Sequence, residues 1–167
     1  SIYCLGLEKG TPMAQSVELG KLPDPDPDLA AEMYEFTVKQ LGDLKYRHYE
    51  ISNWAKPGFE SQHNINYWEN QFFLGLGPGA HSYMPGIRFS NIKSPREYIM
   101  RMENISNALE VSRNMQDGTQ IIDELENISV NTEILDTLMM GLRLETGVSE
   151  ASYFKRFGHS LYQKWNV

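Results

Sequence analysis

Cysteine is nearly absent from this sequence, and its scarcity excludes several kinds of site. The 167 residues include a single cysteine, Cys4. A disulfide needs two cysteines, and a cysteine-ligated zinc or iron–sulfur site usually needs three or four. The chain therefore cannot build such a site from its own cysteines, and Cys4 is interpreted as core packing rather than as a nucleophile.

Long apolar runs and an excess of basic residues are missing as well. No stretch of about 18 apolar residues occurs, so the chain is not expected to be transmembrane. Residues 1–4 have neither the basic flank nor the apolar core of an export signal, which favours a cytoplasmic protein. The 22 acidic residues outnumber the 15 basic ones and give a net charge of −7. Because such a surface repels a phosphate backbone, no nucleic acid is expected as a partner.

Capping signals and short apolar runs predict a mixed α/β fold. Residues 2–7 form an apolar run typical of a strand buried in a parallel sheet, and no strand precedes it, which indicates the tail of a longer protein. Residues 26–28 (Asp-Pro-Asp) predict the start of a helix that ends near Gly42, and residues 94–97 (Ser-Pro-Arg-Glu) predict the start of another. Further strands are expected at residues 46–52, 72–77 and 87–91, and further helices at residues 134–142 and 149–157.

Composition also predicts how the chain is divided. Residues 1–110 contain most of the predicted strands and helices and form the larger portion. Residues 111–130 are polar and irregular, as expected of a linker. Residues 131–167 carry two helical patterns and are interpreted as a small helical domain.

Four side chains of a turn-rich segment form the most informative constellation. They are an imidazole, a carboxamide and two amphipathic aromatics within six residues: His63, Asn64, Tyr67 and Trp68. An imidazole can ligate iron, and tyrosine and tryptophan rings can stack on a flat aromatic ligand. The alternative is a buried histidine bonded to the backbone, with the two aromatics in an ordinary core.

Glycines alternate with other residues from Gly75 to Gly79 and are followed by His81. The spacing of Gly75, Gly77 and Gly79 does not match a dinucleotide-binding loop, and Pro78 lacks an amide that a phosphate would need. Missing side chains instead let another backbone or a flat ligand approach closely, or simply allow tight packing. The three glycines and His81 are therefore candidate ligand-approach positions.

Glu50 and Asn53 lie at the end of a predicted strand, where α/β proteins place ligand contacts. A carboxylate and a carboxamide at this position can hydrogen-bond a ligand. Glu50 can instead pair with Arg47 or Lys56 and have a structural role only. The sequence leaves both interpretations open.

Four ordered motifs together resemble one protein family. They are Tyr3-x-Leu5-x-x-Glu8-x-Gly10-Thr11-Pro12, Tyr49-Glu50-Ile51-Ser52-Asn53, His63-Asn64-x-x-Tyr67-Trp68 and residues 74–82 (Leu-Gly-Leu-Gly-Pro-Gly-Ala-His-Ser). The family is that of the radical S-adenosylmethionine oxygen-independent coproporphyrinogen III oxidases and their relatives. The motif that begins at His63 resembles the haem-chaperone, or HemW-type, branch. The likeness covers nearly the whole chain.

The resemblance implies both a fold and a site. The chain would hold the C-terminal part of a partial (β/α) barrel with added strands, followed by a small, winged-helix-like helical domain. Apolar surface that faces the barrel would then be exposed at residues 2–7 and 72–76. In the haem-chaperone branch the histidine of the motif is associated with haem, so His63 becomes the expected ligand of the haem iron. Asn64 would orient the turn, and Tyr67 and Trp68 would line the haem site.

The resemblance also implies cofactors that this chain does not hold. Family members bind a four-iron cluster through a three-cysteine loop, with S-adenosylmethionine at the fourth iron, and this sequence has no such loop. Both groups are expected in an N-terminal barrel portion of the parent protein, so no catalytic residue is assigned here and the chain is expected to be inactive alone.

The resemblance implies partners as well. They are haem or a porphyrin, the N-terminal barrel portion and haem-accepting respiratory proteins. Two other functions stay open: oxidative decarboxylation by an oxygen-independent coproporphyrinogen III oxidase, and a non-catalytic interaction domain.

Overall fold

The chain divides into two compact units, each with its own small sheet. The computed structural model describes residues 1–103 and 121–162. The first unit contains residues 1–65 and 143–147, and the described part of the second contains residues 66–103, 121–142 and 148–162. Within the described residues the first unit has a two-stranded sheet and the second a three-stranded sheet. Both sheets are antiparallel, and the chain is of mixed α/β class.

Local capping forms the helices of the first unit. The Asp26 carboxylate accepts hydrogen bonds from the amides of Asp28 (2.9 Å) and Leu29 (3.2 Å), which satisfies two amides of the first turn. The helix predicted there is confirmed. The elements of this unit are α1 (Pro12–Glu18), α2 (Pro27–Asp43), β1 (Arg47–Glu50) and β2 (Asn53–Ala55).

The prediction of a strand at residues 2–7 is wrong. These residues adopt no regular secondary structure, and the backbone hydrogen bond that ties them to the rest of the unit runs from the Ile2 amide to the Ser52 carbonyl at 2.8 Å. A buried strand needs neighbours that pair its amides and carbonyls. An apolar run without such neighbours in the described chain forms no strand. Residues 2–6 are exposed, so the interpretation of Cys4 as core packing is wrong as well.

The second unit has a three-stranded antiparallel sheet, with a helix between its second and third strands and two helices after the third. Helix α3 (Gln62–Trp68) lies in the sequence where the first unit gives way to the second. The following elements are β3 (His81–Met84), β4 (Ile87–Asn91), α4 (Pro95–Glu103), β5 (Ile122–Asn127), α5 (Val130–Gly141) and α6 (Glu150–Phe157). The helices predicted from Ser94 and from Ser149 are confirmed, and the helix predicted at residues 134–142 begins earlier, because Ser129 caps α5.

Residues 72–77, predicted as a strand, form only an isolated bridge between Phe73 and Tyr83. The alternating glycines and Pro78 leave this segment without a continuous ladder. The predicted linker at residues 111–130 lies partly outside the described residues, and its described part contains β5, which pairs with β4. The division into residues 1–110, 111–130 and 131–167 stays a prediction, as do the partial barrel and the winged helix.

Apolar packing supports each unit separately. Tyr49 and Trp54 are buried in the first unit, and Tyr83, Ile134 and Tyr153 in the second. The apolar exposure expected at residues 2–7 and 72–76 is confirmed at six positions: Ile2, Tyr3, Leu5, Phe72, Leu74 and Leu76. None of the helices in residues 1–103 and 121–162 has the length and apolarity needed to span a bilayer.

Candidate functional site

The whole His-Asn-x-x-Tyr-Trp motif lies on helix α3. The Ser61 hydroxyl accepts a hydrogen bond from the Asn64 amide at 3.3 Å, and the Ser61 carbonyl accepts one from the Ile65 amide at 3.0 Å. These bonds start the helix, because its first amides have no partner within it. His63 and Tyr67 are four residues apart and therefore lie on one face of α3.

The side chains of the motif differ in exposure. His63 is exposed, whereas Asn64, Tyr67 and Trp68 are half-buried. The Tyr67 ring packs edge-on against Phe73, with 4.6 Å between ring centroids. The alternative of a buried histidine therefore does not hold, and α3 carries an exposed histidine with half-buried aromatics further along the helix.

The turn after α3 depends on Asn70, which sequence reasoning missed. Asn70 is buried and adopts a left-handed conformation with φ of 52°. Asparagine tolerates this conformation better than most residues, and it commonly ends helices. An asparagine two residues after the last helical position was the signal that could have identified the turn.

Glu50 and Asn53 meet at the end of the β1–β2 hairpin. Both are buried, and the Asn53 amide donates hydrogen bonds to Oε1 of Glu50 and to the Tyr3 hydroxyl, the latter at 3.1 Å. Oε2 of Glu50 has no hydrogen-bond partner within residues 1–103 and 121–162. Among those residues Glu50 pairs with neither of the predicted cations; Arg47 contacts Glu145 at 3.5 Å instead.

Backbone and side-chain groups of the same unit contact the glycine segment. A Cβ on Gly75 would lie 2.1 Å from the His81 carbonyl oxygen, so the close approach there is made by backbone. The Asn91 side-chain amide donates to the carbonyls of Gly75 (3.3 Å) and Gly77 (2.8 Å). His81 itself is exposed. Tight packing is confirmed at Gly75, and ligand approach at Gly77, Gly79 and His81 stays a prediction.

The predicted site residues are divided between the two units of the described chain. Glu50, Asn53 and His63 belong to the first unit, whereas Tyr67, Trp68, the glycine segment and His81 belong to the second. Within the described residues no group of three or more His, Cys, Asp and Glu side chains could hold a metal ion. Helix α3 is therefore the best-defined candidate.

Comparison with known proteins identifies relatives over much of the chain. No protein-family model matches the sequence. The chain is 42% identical over 98 residues to the heme chaperone HemW of Mycobacterium tuberculosis, a match that covers 59% of this chain and 25% of that protein. It is 32% identical over 161 residues to HemW of Bacillus subtilis, covering 96% of this chain and 39% of that protein.

A mammalian relative and a solved structure extend the comparison. The chain is 52% identical over 81 residues to mouse radical S-adenosyl methionine domain-containing protein 1, mitochondrial, a match covering 48% of this chain and 18% of that protein. Coproporphyrinogen III oxidase (HemN) from Escherichia coli, a radical SAM enzyme, superposes with a TM-score of 0.56 at 14% identity. That match covers 87% of this chain and 34% of the oxidase, and it concerns the fold alone.

The matched region is a minor part of each of these relatives. The chain spans about a quarter of the length of the first mycobacterial relatives and 39% of the Bacillus protein. The sequence identities and the shared fold agree with the four motifs recognised in the sequence. The chain belongs to the HemW-type radical S-adenosylmethionine family.

Proposed function

We propose that the full-length protein is a haem chaperone and that helix α3 supplies its haem contacts. The bacterial relatives named heme chaperone support the activity. The observation that carries the site is the placement of His63, exposed on α3 and one helical turn before the half-buried Tyr67. We propose that haem is the cargo of this protein, which it hands to haem-accepting respiratory proteins in the cytoplasm.

The chemistry of α3 fits a haem. A neutral imidazole nitrogen is a common ligand of haem iron, and exposure of His63 lets an incoming iron reach it. The porphyrin ring is flat and apolar, so tyrosine and tryptophan rings can pack against it. In this proposal His63 ligates the iron, Tyr67 and Trp68 line the ring, and Asn64 orients the first turn of the helix.

The residues of this chain do not fit an iron–sulfur cluster. Such clusters are held by several cysteine thiolates, and the sequence contains only Cys4. We therefore propose that the cluster and S-adenosylmethionine belong to an N-terminal barrel portion of the full-length protein. No catalytic role follows for any residue of this chain, which we expect to be inactive alone.

An oxygen-independent coproporphyrinogen III oxidase is the second candidate. The similarity of fold to the Escherichia coli oxidase favours it. The ligand of α3 would then be a porphyrinogen substrate rather than haem cargo. Formation of protoporphyrinogen by the full-length protein under anaerobic, reducing conditions would establish this function in place of the chaperone.

A haem titration tests the proposed site. Full-length protein is titrated with haem, and the Soret band and affinity of the wild type are compared with those of His63→Ala. We expect the variant to lose the Soret shift and to bind at least about tenfold more weakly, which corresponds to ~1.4 kcal/mol. His159→Phe is the matched control, because it removes another imidazole but keeps the ring contacts with Tyr153 and Phe157. Wild-type spectra from His63→Ala would rule out the ligand assignment.

A further inference from the structure

The end of α3 is closed by backbone hydrogen bonds in the turn that follows it. The Asn70 amide donates to the Tyr67 carbonyl at 2.9 Å, and the Gln71 amide donates to the Asn66 carbonyl at 3.0 Å. These bonds fill carbonyls that the helix itself leaves open. The backbone of the last turn of α3, which carries Tyr67 and Trp68, is therefore tied to the turn at Asn70.

Helix α5 holds the side chain of Asn70. The Asn70 amide group donates to the Thr137 hydroxyl at 3.0 Å, a contact that is buried. The same hydroxyl donates to the Glu133 carbonyl one turn earlier in α5, at 2.7 Å. A buried amide without a hydrogen-bond partner costs free energy of folding. The bond to Thr137 therefore holds the turn against α5.

Arg156, in the last turn of α6, holds the backbone of the same residue. Its Nη1 donates to the Asn70 carbonyl at 2.6 Å, and its Nε donates to Oε1 of Glu133 at 2.8 Å. Nη2 donates to the Tyr83 hydroxyl at 2.9 Å. One guanidinium therefore connects the α3 turn, α5 and β3.

The geometry requires an arginine. The guanidinium lies 5.0 Å from the ring centroid of Phe72 and 5.6 Å from that of Phe157. The side chains of Arg156 and Glu133 are only 17% and 14% exposed, so solvent screens their ion pair weakly. A lysine has one donor centre and no planar face, so it cannot make these contacts together.

We propose that Arg156 is a positioning residue for the haem contacts of α3. It fixes Asn70, and through Asn70 it fixes the end of the helix that carries Tyr67 and Trp68. This inference rests on the proposed haem function. Arg156 itself touches no haem in this proposal, because its donors are used by Asn70, Glu133 and Tyr83.

The test uses full-length protein with Arg156→Met, Arg156→Lys and the control Arg88→Lys. Arg88 belongs to the same unit and pairs with Asp136 of α5 at 2.6 Å, without touching Asn70. Hydrogen exchange of residues 66–73 is measured without haem, and the Soret band is measured with it. We expect exchange at Asn70 and Gln71 to be about tenfold faster or more in Arg156→Met, because charge-assisted hydrogen bonds are lost.

The Soret band distinguishes a positioning role of Arg156 from a general effect of the substitution on stability. We expect Arg156→Met and Arg156→Lys to shift the Soret band, and Arg88→Lys to retain the wild-type band even if its melting temperature falls. A wild-type Soret band in both Arg156 variants, or wild-type exchange at residues 66–73, overturns the proposal.

Two further results stay interpretable. If Arg156→Met does not fold, Thr137→Val replaces it, because that change removes the hydrogen bond to the Asn70 side chain and leaves Arg156 in place. In Thr137→Val, faster hydrogen exchange at residues 66–73 than in the wild type supports the role of the Asn70 turn in fixing the end of α3. Unchanged exchange opposes that role. If wild-type protein binds no haem, the proposed function fails, and exchange in Arg156→Met alone decides whether Arg156 fixes α3.

Discussion

At Gly75 the absence of a side chain is a steric requirement. The His81 carbonyl oxygen occupies the space of a Cβ, at 2.1 Å, and the Gly75 amide donates to the Ser82 hydroxyl at 2.9 Å. Backbone atoms cannot give way as a flexible side chain can. Of the two roles that the sequence leaves open for Gly75, ligand approach and tight packing, the backbone contact supports packing.

Gly75→Ala should destabilise the protein by about 1–3 kcal/mol, as overpacking of a tight site usually does. Chemical denaturation monitored by tryptophan fluorescence measures the change. The matched control is Gly42→Ala, because Gly42 lies inside α2 with nothing within 4 Å of an added Cβ. Alanine there should not lower the stability of the protein, because it meets no neighbouring atom and favours the helix more than glycine does. Equal effects of the two substitutions would contradict the steric argument.

Two buried tyrosines, Tyr83 in β3 and Tyr153 in α6, make the stability of the second unit depend on pH. Burial raises the pKa of Tyr83, and the Arg156 charge partly opposes that rise. Burial also raises the pKa of Tyr153, with a smaller contribution from the Glu150 carboxylate. The Tyr153 hydroxyl has no hydrogen-bond partner in the part of the chain that the structure describes.

Alkaline pH should therefore destabilise the protein. The folded pKa of each tyrosine lies above the unfolded value of 10.0, so the folded state holds the proton longer. Stability from these groups is complete below about pH 10 and is lost as pH rises through the folded pKa. Tyr153→Phe should reduce this loss and cost little at pH 7, since it removes no hydrogen bond within residues 1–103 and 121–162. Denaturation between pH 7 and 11 measures both, and an unchanged alkaline slope would refute the assignment.

At the scale of the molecule, the exposed apolar side chains are the main feature. Leu5 is 60% exposed, Leu74 62% and Leu76 83%. Patches of this kind in a soluble protein mark surfaces that another surface covers. The relatives are much longer than this chain, and we propose that a further portion of the full-length protein covers both segments.

Residues 1–167 expressed alone should therefore self-associate and bind a dye that fluoresces on apolar surface. Light scattering and dye fluorescence measure this, and Leu5→Lys with Leu76→Lys should reduce both signals. Leu19→Lys is the control, because Leu19 is equally accessible but lies outside both segments. A stable monomer without dye binding would instead favour the non-catalytic interaction domain.

Part of this architecture is determined by residues that lie close together in the sequence. Asp26, Ser94 and Ser149 each bond to amides two or three residues ahead, so a short sequence window contains the whole capping interaction. The helices that follow them were predictable for this reason. The four motifs likewise identified the family, because motif order and spacing are properties of the sequence alone.

Tertiary structure decided the rest, because the deciding partners are distant in sequence. Residues 2–7 look like a buried strand, yet they form none, since a strand depends on neighbours that the run itself does not contain. Half of the residues of strand β5 are acidic, and the strand is formed by its pairing with β4. Arg156 reaches the Asn70 carbonyl across 86 positions, a contact that no local pattern encodes. The sequence alone thus determined the capped helices and the family, and folding determined which residues hold α3.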